Sequence, residues 1–370
     1  MRKIIFACPW EKDKNNSWSG THMGIYWNMC KQYKVINIDT GYYNSSSVLL
    51  KICHYYDRIL SKFRKYEDMG MLRQRVANKV YKKLINNLDC PILQFEECPI
   101  ENGNVNKYIY QDLNVGYVKK MFELDKKLFE ISGYRKISSK YLYKREKQQR
   151  EYYNTCNKIF TMGKWLEKEL VEQYGLPKEK VIHVGGGCNI DTTLIDNTNR
   201  IGNKILFVGK DFERKNGLLV VEAFKIAKLT NSNLELYIAG PEEIEFNDPS
   251  IHFLGLLSFS ELVKYFNICD IFCMPSKFEA YGLVFVEALI FGLPCIGRNA
   301  YEMPYFIEDG ETGFLLQKED PKELSELMLK LIDSERIKKN VLSKRDWYIK
   351  KYSWENVVER ITSEINKQWL

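Results

Sequence analysis

A chain of 370 residues is long for one core and comfortable for two, so two domains of about 150 to 200 residues are expected. Its 45% apolar and 14% aromatic content excludes an intrinsically disordered polymer, and its formal charge of +7 is modest for the length. No stretch approaches the ~18 to 20 uncharged apolar residues of a membrane-spanning helix, since the best candidate, 283–296, contains Glu287.

The opening MRKIIFACPW reads as a first strand and not a secretory signal, because charge returns at Glu11, Lys12, Asp13 and Lys14. Short β-branched runs then alternate with longer helical patterns, the signature of β/α units around a parallel sheet. Strands are expected at 3–8, 34–38, 92–95, 108–111, 158–162 and 181–184, and the pattern restarts at 204–208, 234–239, 252–254, 270–274, 294–297 and 313–316. The expected class is α/β, two doubly wound Rossmann-like domains. The domains are predicted at 1–187 and 204–345, joined by a polar linker at 188–203 that follows Gly185, Gly186 and Gly187. Residues 346–370 read as helix, with Trp347, Tyr348, Tyr352, Trp354, Val357, Val358 and Ile361 marking buried faces.

The ten cysteines are scattered through apolar runs, as reduced core thiols are, and a cytoplasmic location is expected. With four histidines and no C-x-x-C or H-x-x-x-H pair, no metal site is expected. Two basic stretches, 58–83 and 119–150, each carry a net charge of about +7, so the basic character lies in the first domain. They alternate with apolar residues at helical spacing and lack a recognition motif, so nucleic acid is not an expected partner. An anionic membrane surface, met by charge-driven adsorption at the inner face, is compatible with them, and a solvated basic face is the bland alternative.

The informative passage runs from Asp270 to Leu316. A buried strand ends at Pro275 and Ser276, a loop carries Glu279, and an apolar helix starting near Tyr281 carries Glu287. Six helical residues rise about 9 Å, roughly a sugar-to-ribose distance, and a helix start offers amides from Ala280, Tyr281, Gly282 and Leu283 to a diphosphate. A carboxylate after a strand can merely cap a helix, but Glu287 has apolar neighbours all round and needs a partner. Upstream, KILFVGKDFERKNG reads as a strand followed by a loop clustering Lys210, Arg214 and Lys215, cations suited to a leaving diphosphate.

The frame P-S-x-x-E-x-x-G-L-x-x-x-E-A around Glu279 and Glu287 resembles the E-x7-E motif of glycosyltransferase family four. The resemblance runs strongly over 155–320 and weakly before 110. It implies a GT-B fold, the two domains facing across a cleft and the C-terminal helix returning to the first, acceptor-binding domain. It further implies retaining, metal-independent transfer of a hexose-type sugar from a nucleotide diphosphate donor to a glycan or lipid-linked acceptor, in surface polysaccharide or glycoconjugate synthesis, with no resident cofactor. By the same resemblance Glu279 touches the transferred sugar, Glu287 holds the ribose, and Lys215 grips the phosphates with Arg214 or Lys210. Gly240 and Gly255 match turns near the base, and Trp18, Ser19, Gly20 and Thr21 resemble a glycine loop facing the diphosphate, an ordinary βα turn being the alternative. Asp112 falls where many relatives carry a histidine beside the sugar. No D-x-D pair occurs, which a metal-chelating transferase would need. A nucleotide-sugar epimerase of the same fold and a non-catalytic basic binding protein remain as rival readings.

Overall fold

The computed structural model describes residues 1–41, 48–63, 72, 75–76, 78–79, 85, 88–95, 105–196, 198, 200, 202–240 and 248–367. They divide into two compact units, Met1–Gly186 with Trp354–Leu370, and Gly187–Ser353.

Unit 1 is built on six parallel strands, β1 (Lys3–Cys8), β2 (Lys34–Asp39), β3 (Ile92–Gln94), β4 (Lys107–Gln111), β5 (Lys158–Thr161) and β6 (Val181–His183), in the order β2-β1-β3-β4-β5-β6. The interior β1 is buried from Ile4 onward, which is why IIFAC is an unbroken apolar run, whereas the edge strand β2 is only partly covered. Its helices are α1 (Thr21–Gln32), α2 (Val48–Phe63), α3 (Val115–Leu124), α4 (Lys126–Ile131), α5 (Ser139–Thr155) and α6 (Lys164–Lys168). Side-chain oxygens of Asn114 and Ser138 cap α3 and α5 by accepting from the backbone N–H of Tyr117 and Tyr141.

The basic stretch 119–150 is not a uniformly solvated face. Arg145 is buried, Lys120 pairs with Glu169 at 3.0 Å, and Arg150 pairs with Glu146 at 3.2 Å while its guanidinium lies 3.9 Å from the Tyr174 ring centroid. Part of its charge therefore meets partners inside unit 1, while Lys126, Lys127, Arg135, Lys136, Lys140 and Lys144 are exposed. The stretch 58–83 lies largely outside the described residues.

Unit 2 repeats the design with β7 (Lys204–Val208), β8 (Glu235–Ala239), β9 (Ile251–Gly255), β10 (Ile271–Cys273), β11 (Cys295–Arg298) and β12 (Gly313–Leu316). Its helices are α7 (Gly217–Thr230), α8 (Phe259–Ile268), α9 (Leu283–Ile290), α10 (Met303–Phe306), α11 (Pro321–Ile332), α12 (Glu335–Ser343) and α13 (Arg345–Lys351). The strand order is β12-β11-β10-β7-β8-β9, so the chain builds outward from β7, then returns to β7's other side with β10. That reversal makes a switch point between β7 and β10, which pair in parallel through Ile205↔Ile271 and Leu206↔Phe272. In open α/β sheets ligands bind beyond the carboxyl ends of the strands that flank such a point.

The stretch 188–203 packs as part of unit 2 instead of running free as a linker. Cys188 donates its backbone N–H to the Tyr352 carbonyl at 2.8 Å, Ile190 is buried, and the Arg200 guanidinium donates to the carbonyls of Phe266, Asn267, Phe291 and Gly292. The last carbonyls of a helix lack intrahelical donors, so a guanidinium fork is well suited to such a helix end. Residues 346–353 likewise stay with unit 2, where Tyr348 and Tyr352 stack at 6.3 Å and Tyr352 meets Phe306 edge-on at 6.0 Å. The last helix, α14 (Trp354–Lys367), belongs to unit 1 and packs on α1 so closely that a Cβ on Gly24 would come within 2.5 Å of the Trp354 indole. No helix among the described residues is long and apolar enough to cross a membrane. Each of the twelve expected strands is present, its ends within two residues of the expected ones.

Candidate active site

The loops after β7 and β10 carry the groups singled out in the sequence. After β7 the chain turns through Gly209 to Asn216, and after β10 it runs through Pro275 to Gly282. Two contacts lock the loops together: the Lys277 N–H donates to the Arg214 carbonyl at 2.9 Å, and the Asn216 side-chain amide donates to the Pro275 carbonyl at 3.3 Å. Asn216 is left-handed, with φ of 64°, a conformation asparagine tolerates better than most residues. It lets the chain leave the cation loop and enter α7 at once.

The result is a charge cluster in which Glu279 is buried and the two cations are partly exposed. Lys215 Nζ donates to Glu279 Oε2, and Arg214 Nη1 lies 3.7 Å from the same oxygen while donating to the Phe278 carbonyl at 2.7 Å. Burial lowers the Lys215 pKa, and Glu279 opposes that pull. Arg214 Nε also reaches the exposed Asp211 at 3.1 Å. Lys210 is exposed and makes no ion pair with Glu279. The hydroxyl of Ser276, at the end of β10, is buried without a partner.

Gly240 holds the floor of the β7 loop. Its φ is +125°, and a Cβ there would come within 2.5 Å of the Gly209 carbonyl and 2.8 Å of the Lys210 nitrogen. Its N–H donates to the Gly255 carbonyl at 2.8 Å, which brings the two glycines together. Gly255 has space around it but a φ of +65°.

Helix α9 begins at Leu283, not near Tyr281, because Gly282 takes a φ of +97° and breaks the helical path. The helix-start amides therefore belong to Leu283 and the residues after it, while Ala280 and Tyr281 lie in the preceding loop. Tyr281 is buried edge-on to Phe306 at 5.1 Å. At the other end of α9, Arg345 donates to Ile290 and Phe291 carbonyls and Arg200 to Phe291 and Gly292, and both cations oppose the negative end of the helix dipole.

Glu287 lies on α9 and is buried, its carboxylate accepting the Asn189 backbone N–H. Burial raises its pKa from 4.5 to about 7, with the Asn189 contact pulling the other way. Cys188 beside it has its thiol pushed up, first by burial and then by Glu287. Neither Asn189, a backbone donor, nor the orphan Ser276 hydroxyl stood out in the sequence, although the K-N-G run foreshadows the left-handed turn at Asn216.

Gly20 and Asp112 stand in unit 1. Gly20, with φ of 88°, caps α1 after two further left-handed residues, Trp18 and Ser19. Asp112 follows β4, and the buried Tyr110, whose pKa is raised first by burial and then by Asp112, donates its hydroxyl to the Gly185 carbonyl at 2.8 Å.

Residues 195–346, all within unit 2, match the family model described as "Glycosyl transferases group 1". An uncharacterized glycosyltransferase, MJ1178, of Methanocaldococcus jannaschii is 25% identical over 289 residues, covering 76% of this chain and 77% of its own length. The capsular polysaccharide biosynthesis glycosyltransferase CapM of Staphylococcus aureus is 26% identical over 144 residues, covering 36% of this chain and 38% of its own. Among solved structures, Anabaena Alr3699/HepE in complex with UDP and glucose superposes with a TM-score of 0.65 at 12% identity, covering 99% of this chain and 100% of that one. The structural likeness shows the fold, a GT-B-type pair of doubly wound α/β units, and the family match with the glycosyltransferase relatives supports a group 1 glycosyltransferase.

Proposed function

We propose that the chain is a retaining glycosyltransferase that moves a hexose-type sugar from a nucleoside diphosphate donor to a glycan or lipid-linked acceptor, without a metal ion. The observation that carries this reading is the partly buried Lys215–Glu279–Arg214 cluster at the β7/β10 switch point, next to the helix that bears Glu287. Lys215 has donors left over after meeting Glu279, and Arg214 can exchange the exposed Asp211 for a phosphate at little cost, since such surface pairs contribute ~0 to 1 kcal/mol. Both cations stand ready for charge that develops on a departing diphosphate. Glu279 orients the sugar, and Glu287 accepts hydrogen bonds from the ribose hydroxyls.

In the reaction the acceptor oxygen bonds to the anomeric carbon on the face from which the diphosphate leaves. The anomeric C–O bond breaks with its electron pair going to the diphosphate, whose oxygen takes the acceptor's proton. No side-chain nucleophile is required. The relative CapM acts in capsular polysaccharide biosynthesis by its name, which favours surface polysaccharide or glycoconjugate synthesis for this chain.

The test is product analysis by NMR after transfer from the matching donor, with Glu279→Ala alongside. The expected product keeps the donor's anomeric configuration, turnover persists in EDTA, and Glu279→Ala abolishes transfer while nucleotide affinity stays within about threefold. An inverted product, or full turnover by Glu279→Ala, would contradict the reading.

A further inference from the structure

The turn that follows β11, residues 299–302, holds Tyr301 in a left-handed backbone with φ of 56°. Glycine enters that region freely, but for a large aromatic residue it is an outlier that persists only where the surroundings enforce it, and such residues cluster at ligand sites. Here both sides of the turn are fixed. The Asn299 N–H donates to the Leu316 carbonyl at 3.0 Å, its side-chain amide donates to Gln317 Oε1 at 2.9 Å, and the Ala300 N–H donates to the Arg298 carbonyl at 2.7 Å. Beyond Tyr301, Glu302 is buried without capping α10, and the fully buried Met303 accepts the Arg298 N–H on its sulfur at 3.2 Å. A glycine at 301 would close the same turn without strain, so it is the tyrosine ring that calls for a reason.

The place of the ring supplies one. Strand β11 pairs with β10 and β10 with β7, all parallel, so the loops after β11, β10 and β7 stand side by side at the carboxyl ends of their strands. Tyr301 meets Phe278 edge-on at 5.1 Å, and Phe278 immediately precedes Glu279 and gives its carbonyl to Arg214 Nη1 at 2.7 Å. Phe278 is buried, whereas Tyr301 keeps part of its surface open. The two rings form an aromatic step beside the carboxylate of the charge cluster, the inner ring packed and the outer one accessible.

We propose that Tyr301 is a specificity-determining residue for the donor's sugar, its ring forming an apolar wall against which the C–H face of a pyranose packs while Glu279 accepts from the sugar's hydroxyls. The inference rests on the reading of the switch point as a nucleotide-sugar site. A pyranose carries hydroxyls round its rim and C–H bonds on its faces. A carboxylate alone therefore selects little among sugars, whereas an aromatic surface favours those whose face is not interrupted by an axial hydroxyl. The nucleoside diphosphate does not meet the ring, since its phosphates lie on Lys215 and Arg214 and its ribose on Glu287.

The experiment is titration calorimetry of the full chain with UDP, UDP-glucose, UDP-galactose, GDP and GDP-mannose, for wild type, Tyr301→Gly and Tyr301→Phe. Glycine adopts the backbone of the turn, so Tyr301→Gly removes the ring and leaves the fold in place. It is expected to lose about tenfold in affinity for the sugar nucleotide that wild type prefers, narrowing the preference among sugars, and less than twofold for the matching nucleoside diphosphate. Tyr301→Phe should keep both affinities, because the ring and not the hydroxyl makes the contact. Equal losses for sugar nucleotide and nucleoside diphosphate in Tyr301→Gly, or no loss for either, would overturn the proposal while leaving the nucleotide site standing, as would wild-type binding of UDP or GDP with none of the sugar nucleotides. Wild type that binds no nucleotide at all would overturn the reading of the switch point itself, and this inference with it.

Discussion

At the scale of single residues the site turns on Lys215. A buried lysine is costly unless its charge is met, and here Glu279 meets it in a setting where burial already lowers its pKa. Removing one preorganised donor to a developing anion typically costs ~10² to 10³ in turnover, so Lys215→Ala is expected to lower kcat about a hundredfold in single-turnover assays, whereas undiminished turnover would remove it from the diphosphate clamp. Glu287 gives a pH signature. Its folded pKa, about 7, lies above its ordinary 4.5, so its contribution to stability is full below pH 4.5 and is lost as pH rises through 7, about 3 kcal/mol in all. Denaturant titrations should show that loss in wild type and not in Glu287→Gln, and an equal loss in both would assign it elsewhere. Glu279, Lys215 and Glu287 were legible because charged side chains interrupt apolar strand–loop–helix runs at motif spacing. Asn189 was not, since its contribution is a backbone amide that almost any residue supplies. Lys210 was grouped with its neighbours because proximity in sequence does not say which side chains of a turning loop go inward.

At the scale of elements, the strands were legible because parallel strands buried on both faces must be continuous apolar runs, as IIFAC in β1 and ILF in β7 are. The start of α9 was less so. The local pattern favours helix from Tyr281 onward, and only the φ of +97° at Gly282 moves the start to Leu283. The glycine that matters most to loop geometry is Gly240. Gly240→Ala would force a Cβ into the Gly209 carbonyl at a backbone angle that side chains rarely adopt, so stability should fall by about 2 kcal/mol. The displaced Gly209–Lys210 backbone should lower turnover as well. Thermal unfolding and turnover measured on the same sample check both, and an unchanged melting temperature would show that the loop accommodates the methyl without strain.

At the scale of the whole molecule, the repetition of a six-strand alternation gave away two doubly wound units, but pattern alone could not assign every segment to one of them. Tyr348 and Tyr352 announce burial in the sequence without saying in which core, and the structure puts them in unit 2 while Trp354 and α14 go to unit 1. Residues 188–203 looked like a polar connection because the contacts that hold them are made by backbone groups and one arginine, which are invisible to hydropathy. On the proposed function, the β7/β10 switch point of unit 2 holds a nucleoside diphosphate, with Glu287 on its ribose and Lys215 on its phosphates. The most direct test is thermal unfolding of the full chain with UDP, GDP, ADP and CMP, repeated on Glu287→Ala and Lys215→Ala. A ligand present at a hundred times its Kd adds about 2.7 kcal/mol, which for a unit of this size raises the melting temperature by roughly 5 to 10 °C. Such a rise is expected for one nucleoside diphosphate with wild type and a much smaller one with both variants. No rise with any nucleotide, or the same rise in wild type and both variants, would contradict it.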